Sequence, residues 1–289
     1  METSTRSSNL FVKQLAANGM DRSRSHPPRY PLCFLSTRLE QGERNFRPYP
    51  PILTSFVKPL IDKRTRDKAL DSLRTFLASR HELDELELLK LWKGLFYCVW
   101  MSDKVRTQRR LAIELAELVD VLQGDVVLPF LDAFWKTMAR EWPGIDVLRM
   151  DKFLFLVRQY LAASFRYLAK NDWSNHEAIK AYMDTLAATP LNPTDAKIPN
   201  GLRYHVLDIY VDELDKVDAD RDSNIPLDSL LRPLKDLEDT SPNKVARGKV
   251  KEALGDERLN DWRNKDDSGD EEHGHGEEDS SDEWGGLSD

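Results

Sequence analysis

The side chains best suited to chemistry in this sequence are two clusters of cations, one near residue 63 and one near residue 104. Each cluster opens a predicted helix, and cations at a helix N-terminus oppose the macrodipole, so helix stability does not explain them. Lys and Arg neutralise phosphate, which predicts contact with a nucleic-acid backbone; scattered solvated charge is the alternative. The residues expected to contact RNA or a partner are Lys63, Arg64, Arg66, Lys104, Arg106, Arg109 and Arg110, followed by Lys90, Lys93, Arg149, Lys152 and Arg158.

The stretch DADRDSNIPLDS, residues 218–229, has part of the spacing of a calcium-binding loop. Carboxylate or amide side chains occupy its first, third, fifth and seventh positions. The sixth position, which needs Gly for a sharp turn, is Ser223, and the twelfth, which needs a bidentate Glu, is Ser229. These two replacements favour a polar loop between helices over a calcium site.

Other catalytic or cofactor patterns are missing from the sequence. The six histidines form no ligand set, and His205 on an apolar helix face is expected to be a packed core residue. No nucleophile motif or glycine-rich phosphate loop occurs. Cys33 and Cys98 make neither a disulfide framework nor a zinc signature, which favours a reducing, intracellular setting. We therefore expect no enzymatic activity, no cofactor, no metal and no small-molecule substrate.

A membrane location is also not expected. The most apolar stretch, LELLKLWKGLFYCVWMSDK, has a longest charge-free run, 94–102, that is much shorter than the roughly 18 apolar residues of a spanning helix. Its near-uniform hydrophobicity instead predicts a helix that is buried by its neighbours.

Apolar residues recur at intervals of three and four from residue 62 onward, which predicts an all-α fold. Taken in pairs, the predicted helices fall at 62–101, 103–142, 145–188 and 199–238, a recurrence near 40 residues. This spacing favours a right-handed, solenoid-like stack of antiparallel helix pairs, similar to HEAT repeats, and an irregular helical bundle is the alternative.

Local signals suggest where several helices begin. Ser102-Asp103 should cap the third helix, and Ser174 with Glu177 has the form of a capping box. Pro226 and Pro242 are suited to the first position of a helix, whereas Pro233 should kink or split the helix that contains it.

The predicted domain organisation separates four segments: an N-terminal start of the helical domain at 1–18, a proline-rich insert at 19–61, a helical-repeat domain at 62–254 and a disordered acidic tail at 255–289. The net charge of -8 comes from the tail, because residues 266–289 hold eleven acidic and no basic side chains. Such a tail is common in proteins that work near nucleic acid or basic proteins, and equally in proteins that need it only for solubility.

Three blocks of the sequence stand out: LLKLWKGLFYCVWMSDK, FLDAFWKTMAREWPGIDVLRMDKFLFLVRQYL and GLRYHVLDIYVDEL. In order and spacing they resemble the conserved core of the ribosomal RNA-processing protein 1 family, the nucleolar Nop52-type proteins. The resemblance covers about residues 9–18 and 62–254. In the family the first helical block is continuous, so the insert at 19–61 is interpreted as a retained intron, a gene-model artefact or a long disordered loop.

The resemblance implies a non-catalytic, helical-repeat assembly factor of the nucleus and nucleolus. Its implied partners are pre-rRNA of the large subunit and other 60S assembly factors, and self-association is not expected. Larger family members carry long basic C-terminal extensions, whereas this chain ends acidic, so any RNA contact is expected from the helical body. The alternative is a protein-only interaction solenoid of the adaptor or transport kind.

Overall fold

The computed structural model describes residues 63–221 and 224–269, with side chains at 70–221 and 224–263. These residues form α-helices joined by turns and one 3-10 turn, and they contain no strand, which confirms the all-α prediction. None of the helices in these ranges combines the length and apolar character that crossing a bilayer requires. The helices are α1 Lys63–Ala78, α2 Glu85–Trp100, α3 Val105–Ala116, α4 Leu118–Val121, α5 Gly124–Glu141, α6 Val147–Leu168, α7 His176–Ala188, α8 Asn200–Asp215, α9 Leu227–Thr240, α10 Lys244–Leu254 and α11 Arg258–Gly269.

When the short helix α4 is left out, the main contacts between helices connect alternate elements of the chain, and the consecutive helices α9 and α10 also pack on each other. Helix α2 packs on α5, α5 on α7, and α7 on α9, while α3 packs on α6, α6 on α8, and α8 on α10. Short connections therefore carry the chain back and forth between these two sets of helices.

The core is centred on Trp92 of α2, which is fully buried. Its indole Nε1 donates to the Phe130 carbonyl at 2.9 Å, and its ring centroid lies 4.9–5.0 Å from those of Phe130, Phe134 and Tyr160. Burial of each such side chain contributes about 1.5–3 kcal/mol. The apolar stretch around Trp92 is thus an internal wall of the fold, as its composition predicts.

The helix boundaries confirm some local predictions and correct others. Helices α6 and α7 lie within the predicted pair at 145–188. Helix α7 starts one residue later than its capping-box signal indicates, because the Asn175 side chain, rather than Ser174, accepts from the Ala178 amide. Helix α10 is likewise capped by Asn243 and begins two residues after Pro242.

The prediction for the start of α3 is wrong, and the helix that contains Pro233 is not split. The Ser102 hydroxyl donates to the Val99 carbonyl at the end of α2, and the N-cap of α3 is Lys104 without a side-chain cap bond. Pro233 lies inside the continuous helix α9, which it does not split. A buried stripe that includes Leu230 and Leu234 on the same helix offsets the lost backbone hydrogen bond.

Helix α11 lies within the segment 255–289 for which disorder is expected. Leu259 is fully buried, and Trp262 is buried and donates its Nε1 hydrogen to the Asp218 carboxylate at 2.7 Å. The expectation of disorder therefore does not hold for this part of the segment, and the packed helices continue past residue 254. The predicted segments 1–18 and 19–61, and the tail from 270, lie outside the described residues.

Candidate nucleic-acid interface

Helices α3 and α6 run in the same direction. The Arg109 guanidinium lies 5.9 Å from the Phe155 ring centroid, and further along both helices the Tyr160 hydroxyl donates to the Leu115 carbonyl. Because the residue numbers rise together, the first turns of the two helices lie at the same end.

The same order of contacts extends to α8 and α10. On α6 and α8, the Leu154 carbonyl contacts the His205 Nε2 at 2.9 Å and Arg158 pairs with Glu213 at 2.9 Å. On α8 and α10, the Tyr204 hydroxyl accepts from Asn243 at 2.9 Å and Asp208 pairs with Lys249. The first turns of all four helices thus form one side of the molecule, which we call the N-terminal edge: residues 104–107, 147–150, 200–203 and 244–247.

The two sets of helices differ in the charge of their first turns. The α2 set consists of α2, α5, α7 and α9, and each of these helices has a carboxylate there: Glu85 and Glu87, Asp125, Glu177 or Asp228. In α3, α6, α8 and α10 the first turn has no acidic residue. Helix α6 has an acidic N-cap instead, Asp146, whose carboxylate accepts from the Arg149 amide. The positive ends of the α3, α8 and α10 dipoles therefore remain largely uncompensated at the N-terminal edge, an arrangement that favours anions.

The cluster at 104–110 lies on or beside this edge. Lys104, Arg106 and Arg109 are exposed, the first two within the N-cap and first turn of α3. Arg110 is half-buried and pairs with Glu114 at 3.4 Å, one helical turn further on. Phosphate contact by these residues stays a prediction.

The cluster at 63–66 belongs to the first turn of α1, where only the backbone is described. The side chains of Lys63, Arg64 and Arg66 lie outside the described residues. On the same helix, Arg74 pairs with Glu117 just after α3 at 2.6 Å. This contact joins the C-terminal halves of α1 and α3.

The second group of predicted cations has more intramolecular contacts. Lys90 is exposed, whereas Lys93 pairs with Glu141 at 2.9 Å. Arg149 pairs with Asp146, the N-cap of α6, and its guanidinium lies over the Trp100 ring. Arg158 pairs with Glu213 and, at 3.3 Å, with Asp212. These cations are partly neutralised within the fold.

Lys152 is buried and caps the end of α2. Its ammonium group donates to the Trp100 carbonyl at 2.6 Å and to the Ser102 carbonyl at 2.8 Å. Burial, reinforced by the nearby charge of Arg149, lowers the pKa of Lys152 to about 8. This geometry gives the side chain a structural role between α2 and α6.

Two features of the surface are absent from the sequence-based prediction. Lys244 is exposed at the start of α10 and adds a cation to the N-terminal edge. Val147 and Leu148, the first two residues of α6, are 88% and 94% exposed. Their position shortly after the Pro143-Gly144 turn, at the start of the next helix, was a usable signal, whereas the alignment of α10 with α3 depends on the tertiary fold.

The calcium-like loop is used for packing at the end of α8. Asp218 is buried and accepts from Trp262, and the Arg221 guanidinium lies 3.8 Å from the centre of that indole ring. In the described part of the chain, no three His, Cys, Asp or Glu side chains are grouped so that they could hold a metal ion. Residues 222–223, which include the fifth position of the loop, lie outside the described residues.

His205 occupies a half-buried position between α6 and α8. Its Nε2 contacts the Leu154 carbonyl, and burial lowers its pKa below the ordinary value. The expectation of a packed histidine agrees with this environment.

Comparison with known proteins gives a consistent result. The family model described as "Nucleolar protein, Nop52" matches residues 53–286. Human ribosomal RNA processing protein 1 homolog B is 41% identical over 162 residues, which cover 54% of this chain and 21% of the human protein. Mouse ribosomal RNA processing protein 1 homolog A is 42% identical over 161 residues, 54% of this chain and 32% of the mouse protein.

A more distant relative is the ribosomal RNA processing protein 1 homolog of Drosophila melanogaster, which is 33% identical over 174 residues, 58% of this chain and 25% of the fly protein. The matched part of the chain thus spans only about a fifth to a third of these relatives. The family model, in contrast, matches well over half of this sequence. The chain belongs to the Nop52 family of nucleolar proteins.

Proposed function

We propose that the chain is a non-catalytic ribosome-biogenesis factor, a scaffold in precursors of the large (60S) subunit that takes part in pre-rRNA processing. Its partners are pre-rRNA and other assembly factors. Membership of the Nop52 family and the relatives' names, which refer to ribosomal RNA processing, support this role.

The scaffold consists of a solenoid-like stack of helix pairs of the HEAT type. Two features support this architecture: helices contact each other in alternate order along the chain, and α3, α6, α8 and α10 run in parallel. In such a stack each helix pair touches only its neighbours, so that a long surface is available for several partners. The helical-repeat domain covers 62–254, and α11 packs against it through Trp262.

The observation that carries the RNA part of the proposal is the charge of the N-terminal edge. Four helix starts without first-turn acids lie together there, and only α6 among them has an acidic N-cap, Asp146. Lys104, Arg106 and Lys244 add cations to this edge. The partial positive charge of the helix ends and the side-chain cations act in the same direction on a phosphate.

The test is the salt dependence of binding between the purified chain and large-subunit pre-rRNA fragments. The double substitution Arg106→Glu and Arg109→Glu should reduce the slope of log K against log salt by about 1.4–1.8, because each lost phosphate contact removes about 0.7–0.9. The matched control is Arg166→Glu with Lys180→Glu, which reverses two exposed cations outside the edge. Equal slopes for the two double variants would contradict the assignment.

A protein-only interaction solenoid is the second candidate function, and the exposure of Val147 and Leu148 favours it. RNA crosslinking in cells, followed by affinity purification, separates the two candidates. Crosslinks within residues 63–269 together with co-purifying large-subunit rRNA precursors support the first candidate. Co-purifying assembly proteins without crosslinks to the chain support the second.

A further inference from the structure

Helix α2 carries a row of basic and aromatic side chains along one face. Lys90, Lys93, Tyr97 and Trp100 are spaced by three, four and three residues, the spacing of a single helix face, and each is exposed or half-buried. Arg149 from the start of α6 lies beyond the last of them. We call these five residues the α2 stripe. At about 1.5 Å per residue, its α2 portion is about 15 Å long.

Cations and rings are paired within the stripe. The Lys93 ammonium lies 5.8 Å from the Tyr97 ring centroid, and the Arg149 guanidinium lies 4.9 Å from that of Trp100. The core fixes both rings from behind, because Tyr97 packs edge-on against Phe96 at 5.6 Å and Trp100 packs near Phe153 at 6.2 Å. The stripe is therefore an ordered surface.

This arrangement is poorly suited to electrostatic binding of phosphate. Lys93 is already paired with Glu141, and Arg149 with Asp146, so part of their charge is neutralised. The Arg149 guanidinium lies over Trp100 with one face and has a second planar face, and the half-buried Tyr97 ring has an exposed part. Planar groups of this kind stack on nucleobases, and base stacking on aromatic side chains or Arg is the usual way in which proteins hold unpaired RNA.

We propose that the α2 stripe stacks on unpaired nucleotides and gives the chain a preference for single-stranded over duplex RNA. This inference rests on the proposed RNA-binding function and names the kind of RNA that is bound. In a duplex the base faces are covered by neighbouring pairs, so only phosphates and groove edges could contact the stripe. At about 3.4 Å per stacked nucleotide, 15 Å corresponds to roughly four nucleotides.

The test uses the full chain and two labelled RNAs of about twelve nucleotides per strand, one unstructured single strand and one blunt duplex, in fluorescence anisotropy titrations. Tyr97→Leu removes a ring, and Arg149→Lys keeps the charge but removes the planar guanidinium. The matched controls lie near the other end of α6. Tyr167→Leu alters a half-buried ring with the Lys170 ammonium 5.6 Å from its centroid, and Arg166→Lys changes an exposed Arg. Circular dichroism melts verify that each variant is folded.

The wild-type chain should bind the single strand at least ten-fold more tightly than the duplex. Tyr97→Leu and Arg149→Lys should each weaken single-strand binding about five-fold or more and leave duplex binding unchanged, while the two controls bind as the wild type does. Equal affinity for the two RNAs, or wild-type binding by both stripe variants, overturns the stacking role but leaves the phosphate role of the N-terminal edge intact.

Two other results have different consequences. Failure to bind either RNA overturns the stacking role together with the RNA part of the proposed function. Loss of co-purifying assembly proteins from the stripe variants, with unchanged RNA binding, overturns the stacking role and assigns the stripe to a protein partner.

Discussion

The Lys152→Met substitution should remove a pH dependence of stability that the wild-type chain shows in mildly alkaline solution. In the folded chain the pKa of Lys152 is about 8, below the ordinary 10.5, chiefly because the ammonium group is buried. Between these two values the unfolded chain binds more protons at this site than the folded chain does. The contribution of Lys152 to stability therefore rises with pH through this window, and below pH 8 the full cost of burying the charge is present.

The size of the effect follows from the difference in pKa. The folded and unfolded pKa values differ by about 2.5, which corresponds to a maximal change of about 3 kcal/mol in the free energy of unfolding. About 2 kcal/mol of this change falls between pH 7 and 9.5. For a domain of this size, that corresponds to a change of about 4–8 °C in melting temperature. Since Tyr and other Lys side chains also titrate in alkaline solution, the informative quantity is the difference between wild type and variant.

Urea unfolding followed by circular dichroism, at pH 7 and at pH 9.5, measures that difference. The wild type should gain about 2 kcal/mol relative to Lys152→Met on going to the higher pH. The control Lys180→Met, at an exposed position of α7, should show no such gain. A wild-type-minus-variant difference that stays constant with pH would refute the reasoning. For RNA binding, the slope of log K against log salt should be the same for Lys152→Met and the wild type. A slope reduced by about 0.7–0.9 would show that the Lys152 side chain contacts phosphate.

The remaining predictions concern the end of the helical domain and the buried cysteine. Trp262→Ala should destabilise the chain by about 3–5 kcal/mol and make α11 susceptible to limited proteolysis, because it removes a buried indole and the hydrogen bond to Asp218. The control Arg263→Ala, at an exposed neighbouring position, should change neither stability nor proteolysis. In a Cys33→Ser chain, Cys98 should resist thiol reagents at pH 8 until urea is added, because burial raises its pKa to about 12. Rapid labelling of the folded chain would contradict this placement.

The sequence predicts the features that depend on local periodicity. The apolar stripe of α6 and the uniform hydrophobicity of α2 each arise within one helix, and the structure agrees with both. Helix starts are less predictable, because Ser174 and Asn175 are both good N-caps and tertiary packing selects one of them. Pro233 is tolerated inside α9 because the stripe of leucines around it is buried against α7 and α10.

The role of a given cation could not be predicted from its neighbours in sequence. Lys152 and Arg149 lie on the same turn of α6, yet Lys152 caps carbonyl groups at the end of α2 and Arg149 covers the Trp100 ring of α2. Likewise, the polar composition after residue 255 gives no sign that Leu259 and Trp262 are buried. Trp262 contacts Asp218, which lies just after the end of α8. In each case the decisive contact is formed by a distant segment.

The distribution of acidic residues over the helix starts favours a functional explanation over one based on stability. A carboxylate at the start of a helix stabilises it by about 0.3–1 kcal/mol. Every helix of the α2 set has one in its first turn, and α6 has Asp146 as its N-cap, whereas α3, α8 and α10 have none at either place. An edge selected for stability alone would favour Asp or Glu where α3 has Arg106. Arg106→Glu should therefore leave the chain at least as stable as the wild type while weakening its binding to RNA. A loss of both stability and RNA binding would instead indicate that Arg106 supports the fold.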